Sequence, residues 1–159
     1  NRNPMLYKQT IQFALQGGII DLTCGMTGSA IPVPQAVKQA LDAGVPLERL
    51  TLSSDGNGSM PKFNENNELI GLTAAAPRYL YEEMLSIVKA GVLPFDKALQ
   101  LITCNVADAL KLEDKGRIAV GKDADLIVWN DDLTLNKVFA RGRLMVDEGQ
   151  AVVKGTFEN

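Results

Sequence analysis

The run Ser53-Ser54-Asp55-Gly56-Asn57-Gly58-Ser59 places one carboxylate in a glycine-rich loop, directly after a short β-prone stretch, Arg49-Leu50-Thr51-Leu52. In a β/α barrel the C-terminal edge of a strand is where chemistry sits. A carboxylate at that edge can ligate a metal, or take a proton from a metal-activated water. Gly56 and Gly58 would let the backbone approach a ligand closely. The same residues also spell a turn, because Asp-Gly and Asn-Gly are both strong turn signals. Local sequence leaves the turn and the site both open. Ser59 follows closely, and its hydroxyl could face the same cavity and bind a substrate carboxylate or carbonyl. Arg2 is a third candidate, since a guanidinium binds carboxylates as a two-pronged fork. The chain contains no histidine, which excludes a Ser-His-Asp triad within it.

Other features carry less. Gly25-Met26-Thr27-Gly28-Ser29 lacks the Gly-Lys-Ser/Thr ending of a phosphate loop. Asp123 and Asp125 read as a turn before a strand. Cys24 and Cys104 are far apart, without CxxC spacing or a His partner, and read as two free thiols in a reducing, cytoplasmic setting. Net charge is −3 with Lys and Arg dispersed, so nucleic acid is not an expected partner. No apolar run approaches the ~20 residues of a membrane helix. With 46% hydrophobic and 22% charged residues, the 159-residue chain is expected to form a folded core.

The elements that must position Asp55 can be read from periodicity. Residues 4–16 have helical spacing, with Pro4 suited to a first turn and Gly17-Gly18 to a stop. Ile19–Cys24 reads as a short buried strand, residues 34–43 as a helix ending at Gly44, and Leu50–Leu52 as the next strand. This alternation predicts a parallel sheet built from βα units. Residues 56–70 are polar and read as a loop. Helices are predicted over about 77–90, from Pro94 onward, and from a cap at Asn105 to about Leu112.

After Gly116 the character changes. Arg117–Val120, Ala124–Trp129, Lys137–Ala140, Arg143–Val146 and Ala151–Val153 are five short strand-like runs punctuated by Gly and Asn-Asp. They predict an all-β meander, part of a small sandwich. The predicted division is 1–115 for the α/β part and 116–159 for the β part. Only two strands fit the α/β half, and two strands do not make a stable sheet alone. The opening Asn1-Arg2-Asn3-Pro4 reads like the middle of a protein, so a preceding N-terminal portion is expected.

Gly116-Arg-Ile-Ala-Val-Gly121-Lys-Asp123-Ala-Asp125-Leu-Ile-Val, with Leu101-Ile-Thr-Cys-Asn105-Val-Ala107 upstream, resembles the C-terminal tail of the amidohydrolase superfamily. Val106 stands where a Pro is common there. Three further stretches are similar to the isoaspartyl (β-aspartyl) dipeptidases. Leu50-Thr-Leu-Ser-Ser-Asp55-Gly-Asn-Gly-Ser59 resembles their last barrel strand. Ala30–Lys38 with Ala43–Arg49 resembles the helix before it. Ala140-Arg-Gly-Arg-Leu-Met-Val with Val153-Lys-Gly-Thr-Phe-Glu resembles their closing segment. The resemblance spans nearly the whole chain and is weakest over 60–72.

That resemblance implies an α/β fold: the C-terminal part of a (β/α)8 TIM-type barrel in 1–115, then strands of a small β-sandwich domain in 116–159. It implies a metal-dependent hydrolase cleaving β-aspartyl dipeptides with two zinc ions held by histidines, a carboxylated lysine and one aspartate. Asp55 matches that aspartate. It would ligate zinc, accept the proton released as hydroxide attacks the scissile carbonyl, and pass it to the leaving amine. Arg2 and Ser59 would bind the substrate. The family has a histidine shortly before an Asn-Arg pair, and this sequence starts at Asn1-Arg2. The other ligands would then come from the N-terminal portion of the same enzyme, and this chain alone would be inactive. Family members also tend to be symmetric homo-oligomers. A different amidohydrolase, aminoacylase-like or dihydroorotase-like, and a non-catalytic assembly module are the competing readings.

Overall fold

The computed structural model describes residues 3–26, 31–66 and 68–155. The chain divides into two compact units, Asn1–Leu110 and Lys111–Asn159.

The first unit opens with helix α1, Pro4–Leu15. Asn3 caps it by accepting from the backbone N–H of Met5 at 3.0 Å, and Pro4 occupies the first turn, where its missing N–H is not needed. Strand β1, Ile20–Thr23, follows, and then α2, Val33–Asp42. Val33, Ala36, Val37 and Ala40 recur at helical spacing, and all four are buried. Gly44 ends this helix in the left-handed region, with φ 89°. A 3-10 turn, Leu47–Arg49, leads into β2, Leu50–Ser53. The two strands pair in parallel, with Ile20 opposite Leu50 and Leu22 opposite Leu52. Helices α3 (Tyr79–Lys89), α4 (Phe95–Gln100) and α5 (Cys104–Leu110) complete the unit.

The core lies on one face of the β1–β2 pair. Ile20, Leu22, Leu50 and Leu52 pack there with Tyr7 and Ile11 of α1, with α2, with Met84 and Ile87 of α3, and with Leu101. The Tyr7 hydroxyl donates to the carbonyl of Ala36 at 2.6 Å, so the one buried phenol is satisfied. Strand β2 is also held at its outer edge, where the Leu52 N–H donates to the Leu101 carbonyl at 3.0 Å.

Two expectations for this unit need correction. Residues 56–70 are not simply a loop. β3, Ser59–Phe63, and β4, Leu69–Ala74, form an antiparallel hairpin over that segment. Nearly every residue of both strands is exposed, so there is no buried alternation for a sequence reader to find. The side chain of Asn64 builds the connection, accepting from the N–H groups of Asn66 and Glu68 at 3.0 and 2.9 Å. Asn105 is not a helix cap. It lies inside α5 and is 3% exposed, and its amide donates to the carbonyls of Leu47 at 2.8 Å and Leu50 at 2.9 Å. It therefore ties α5 to the start of β2. Asn105→Ala leaves two carbonyls without this donor and is expected to cost about 1–3 kcal/mol. The shift in the urea midpoint of the intact protein measures it.

The second unit is a four-stranded antiparallel meander in the order β5 (Leu126–Trp129), β6 (Leu135–Ala140), β7 (Arg143–Asp147) and β8 (Gln150–Ala151). Arg141-Gly142 and Glu148-Gly149 make its last two turns, with positive φ at all four residues. This is the conformation whose twist matches two-residue hairpins. The predicted strand over 117–120 does not form. The Lys122 N–H donates to Ala119 and the Asp123 N–H to Asp114, which turns the chain there instead.

An ion cluster ties the segment before β5 to the β6–β7 turn. The Lys115 ammonium lies 2.7 Å from Asp123 and 2.5 Å from Asp125, and the Arg141 N–H donates to Asp125 at 2.7 Å. The hydrogen bond from Lys115 holds both carboxyls below their ordinary range, and Arg141 adds to this. Asp123, followed by Asp125, raises the Lys115 ammonium above its own. Lowered carboxyl values add stability above about pH 4, which is lost as pH falls through the folded values. The raised lysine value adds stability below about pH 10, which is lost as pH rises through its folded value. Melting temperature should therefore drop on the acid side of pH 4. Lys115→Met should flatten that limb in a pH series of thermal melts.

Candidate active site

The β1–β2 pair has two chemically distinct faces because side chains alternate along a strand. Ile20, Leu22, Leu50 and Leu52 enter the core, while Asp21, Thr23, Thr51 and Ser53 share the opposite face. In a β/α barrel the core-facing side meets the helices and the other side lines the interior. That second face is polar over its whole described length. The Asp21 carboxylate joins the two strands, accepting from the Thr51 hydroxyl at 2.8 Å and the Ser53 hydroxyl at 2.5 Å.

Asp55 stands just beyond the C-terminal end of β2, in a tight turn. Its own carbonyl accepts from the Gly58 N–H at 2.8 Å, and the Ser54 hydroxyl accepts from the Gly56 N–H at 3.2 Å. Asn57 N–H to Ala75 O at 2.9 Å and Ala75 N–H to Gly58 O at 2.8 Å fasten the turn to the segment after β4. Asp55 and Asn57 have φ of 47° and 64°, which their short polar side chains tolerate better than most. Gly58 is required here, since a Cβ would lie 2.8 Å from the Asp55 carbonyl oxygen. The Asp55 side chain is exposed, and no described group pairs with it. The turn reading therefore holds, and the turn leaves the Asp55 carboxylate exposed at the strand end.

Ser59 is the first residue of β3, paired opposite Ala74 and exposed. Asp55 and Ser59 bracket the closed turn. Arg2 lies outside the described residues. Asp21 is absent from the sequence reading, although its signal was present. Ile-Asp-Leu-Thr and Leu-Thr-Leu-Ser both alternate apolar and polar residues, which marks a strand pair with one polar face.

Comparison with known proteins fits this geometry. The model of the amidohydrolase family matches residues 31–148, well over half of the chain. The chain belongs to the amidohydrolase family. Among solved structures, this amidohydrolase chain superimposes on the β-aspartyl dipeptidase of the keratin-degrading thermophile Fervidobacterium islandicum AW-1, determined in complex with the β-Asp-Leu dipeptide. The TM-score is 0.83 at 31% identity, over 98% of this chain and 40% of that one. Its mixed α/β architecture therefore matches that of amidohydrolase TIM-barrel enzymes. Curated relatives carry other names. Imidazolonepropionase of Anaeromyxobacter sp. (strain K) is 34% identical over 70% of this chain and 22% of that protein. Adenine deaminase 1 of Carboxydothermus hydrogenoformans is 28% identical over 64% of this chain and 17% of that protein. The match thus spans about a fifth of each of these two curated relatives and two fifths of the dipeptidase.

Amidohydrolases generally bind metal ions at the active site. Asp55 could take one position of such a site, as an exposed carboxylate on a hydrogen-bonded turn with no partner among the described residues. No group of three or more His, Cys, Asp or Glu able to hold a metal occurs among the described residues. A zinc ion takes about four ligands. Among the described residues, Asp55 could therefore supply one ligand but not a whole site. No described helix is long and apolar enough to cross a membrane.

Proposed function

We propose that this amidohydrolase chain is the C-terminal part of a zinc-dependent isoaspartyl dipeptidase, with residues 1–115 in the barrel and 116–159 in the small β domain. The carrying observation is the match to the F. islandicum β-aspartyl dipeptidase over 98% of the chain at 31% identity. The remainder of the same protein supplies the other metal ligands, and the enzyme is cytoplasmic, a reducing compartment that suits two cysteine thiols.

In this reading Asp55 is both ligand and proton carrier. Bound zinc would lower the pKa of water and polarise the scissile carbonyl. Asp55 takes the proton as water attacks the β-carboxamide carbon, then delivers it to the departing amine, so that the C–N bond breaks with a neutral leaving group. Ser59 and Arg2 hold the polar ends of the dipeptide, Arg2 as a fork on a carboxylate. Ser59→Ala should mainly raise KM, since a hydroxyl holding the bound substrate acts equally in ground and transition state. An unchanged KM removes Ser59 from substrate binding.

A second reading has its own support, because the curated relatives are named adenine deaminase and imidazolonepropionase. Assay of the intact enzyme on β-Asp-Leu, N-acyl amino acids, adenine and imidazolonepropionate separates them. The proposal expects the highest kcat/KM on β-Asp-Leu. A higher value on any of the other three overturns it.

A further inference from the structure

We propose that Asp21 is a positioning residue for the reaction: its carboxylate clamps β2 to β1 and so fixes the strand end that presents Asp55. The proposal rests on the reading of Asp55 given above. Register supports it first. Asp21 lies directly opposite Thr51, and Thr23 directly opposite Ser53. Asp21 thus bonds its facing residue and the next residue on the same side of β2, using one carboxylate oxygen for each hydroxyl, at 2.8 and 2.5 Å.

Placement supports it next. Thr51 and Ser53 are the residues of β2 that share a face with Asp21, and Ser53 is two positions before Asp55. Thr51 is 5% exposed, so its hydroxyl needs a partner, and Asp21 is that partner. The start of β2 is fixed independently by the Asn105 amide at Leu47 and Leu50, and its middle by the Leu52–Leu101 hydrogen bond. At the end nearest Asp55, the Cys24 N–H donates to the Ser53 carbonyl at 2.7 Å, and the bond from the Ser53 hydroxyl to Asp21 adds a side-chain tie to that backbone one. Small displacements of a reacting group are expensive, a misplacement of about 1 Å costing on the order of 10²-fold.

The test uses the intact, metal-loaded enzyme with β-Asp-Leu. Asp21→Ala should lower kcat by about 10–100-fold, with KM and bound zinc nearly unchanged. Asp21→Asn should recover most of the rate, since its amide oxygen can accept from one hydroxyl and its NH2 donate to the other. The pair Thr51→Val with Ser53→Ala should reproduce the loss, and adding Asp21→Ala to that pair should cost little more. The Thr51→Val/Ser53→Ala pair leaves Asp21 in place and keeps the proposal testable if Asp21→Ala does not fold. Unchanged kcat in Asp21→Ala, or in the Thr51/Ser53 pair, overturns the proposal, as does an additive loss in the triple variant. The two readings fail separately. If Asp55→Asn is inactive while Asp21→Ala is fully active, only the positioning role falls. If Asp55→Asn is active, the reading of Asp55 falls.

Discussion

Asp55→Asn in the intact enzyme lowers kcat by about 10²–10⁴-fold, the range for loss of a positioned general base, with the fold intact. The choice of asparagine matters. Asp55 sits at φ 47°, where alanine would pay roughly 1 kcal/mol in backbone strain while asparagine is well tolerated. The turn does not depend on the carboxylate, because the bond that closes it runs from the Gly58 N–H to the Asp55 carbonyl. A carboxamide of the same shape therefore removes proton acceptance and weakens metal ligation without disturbing the turn. If Asp55 only shaped the turn, Asp55→Asn would turn over normally. A steady-state kcat beside a melting temperature equal to the parent's decides between them.

Withdrawal of metal from the intact enzyme is expected to abolish β-Asp-Leu hydrolysis, and added zinc to restore it. The isolated 159-residue chain should show no tight stoichiometric zinc binding. The reason is donor count. The sequence has no histidine, and the described residues hold no cluster of three or more donor side chains. A lone exposed carboxylate competes poorly with water for a cation that takes about four ligands. Full activity after exhaustive chelation would remove the metal from the mechanism. Submicromolar zinc affinity in the isolated chain, by calorimetric titration, would mean that the ligands are not supplied from outside it.

Much of this arrangement was legible in the sequence, and the exceptions have physical causes. α1, α2, β1 and β2 were readable because their apolar residues recur at helical or alternating spacing, bounded by Gly17, Gly44 and prolines. The β3–β4 hairpin was not readable, since exposed strands carry no burial pattern and Pro61 argues against a strand. Arg117–Val120 looks like a strand by composition, but composition cannot supply a ladder partner, and the chain turns there instead. Asn105 shows the limit of local reading. It is a good capping residue beside a helix start, yet its amide is used by carbonyls of Leu47 and Leu50, more than fifty positions earlier. Asp55 was singled out by its place after a strand in a glycine-rich loop. Asp21 was passed over because alternation marks the polar face of its strand without naming a partner, and only the parallel register brings it to Thr51 and Ser53.

The most direct measurement is a crystal structure of the intact, zinc-loaded enzyme with the metal located by anomalous scattering. The account predicts zinc at about 2.0–2.2 Å from an Asp55 carboxylate oxygen, completed by ligands from the rest of the protein. Zinc bound elsewhere, with the Asp55 carboxylate in solvent and out of coordination range, would contradict it.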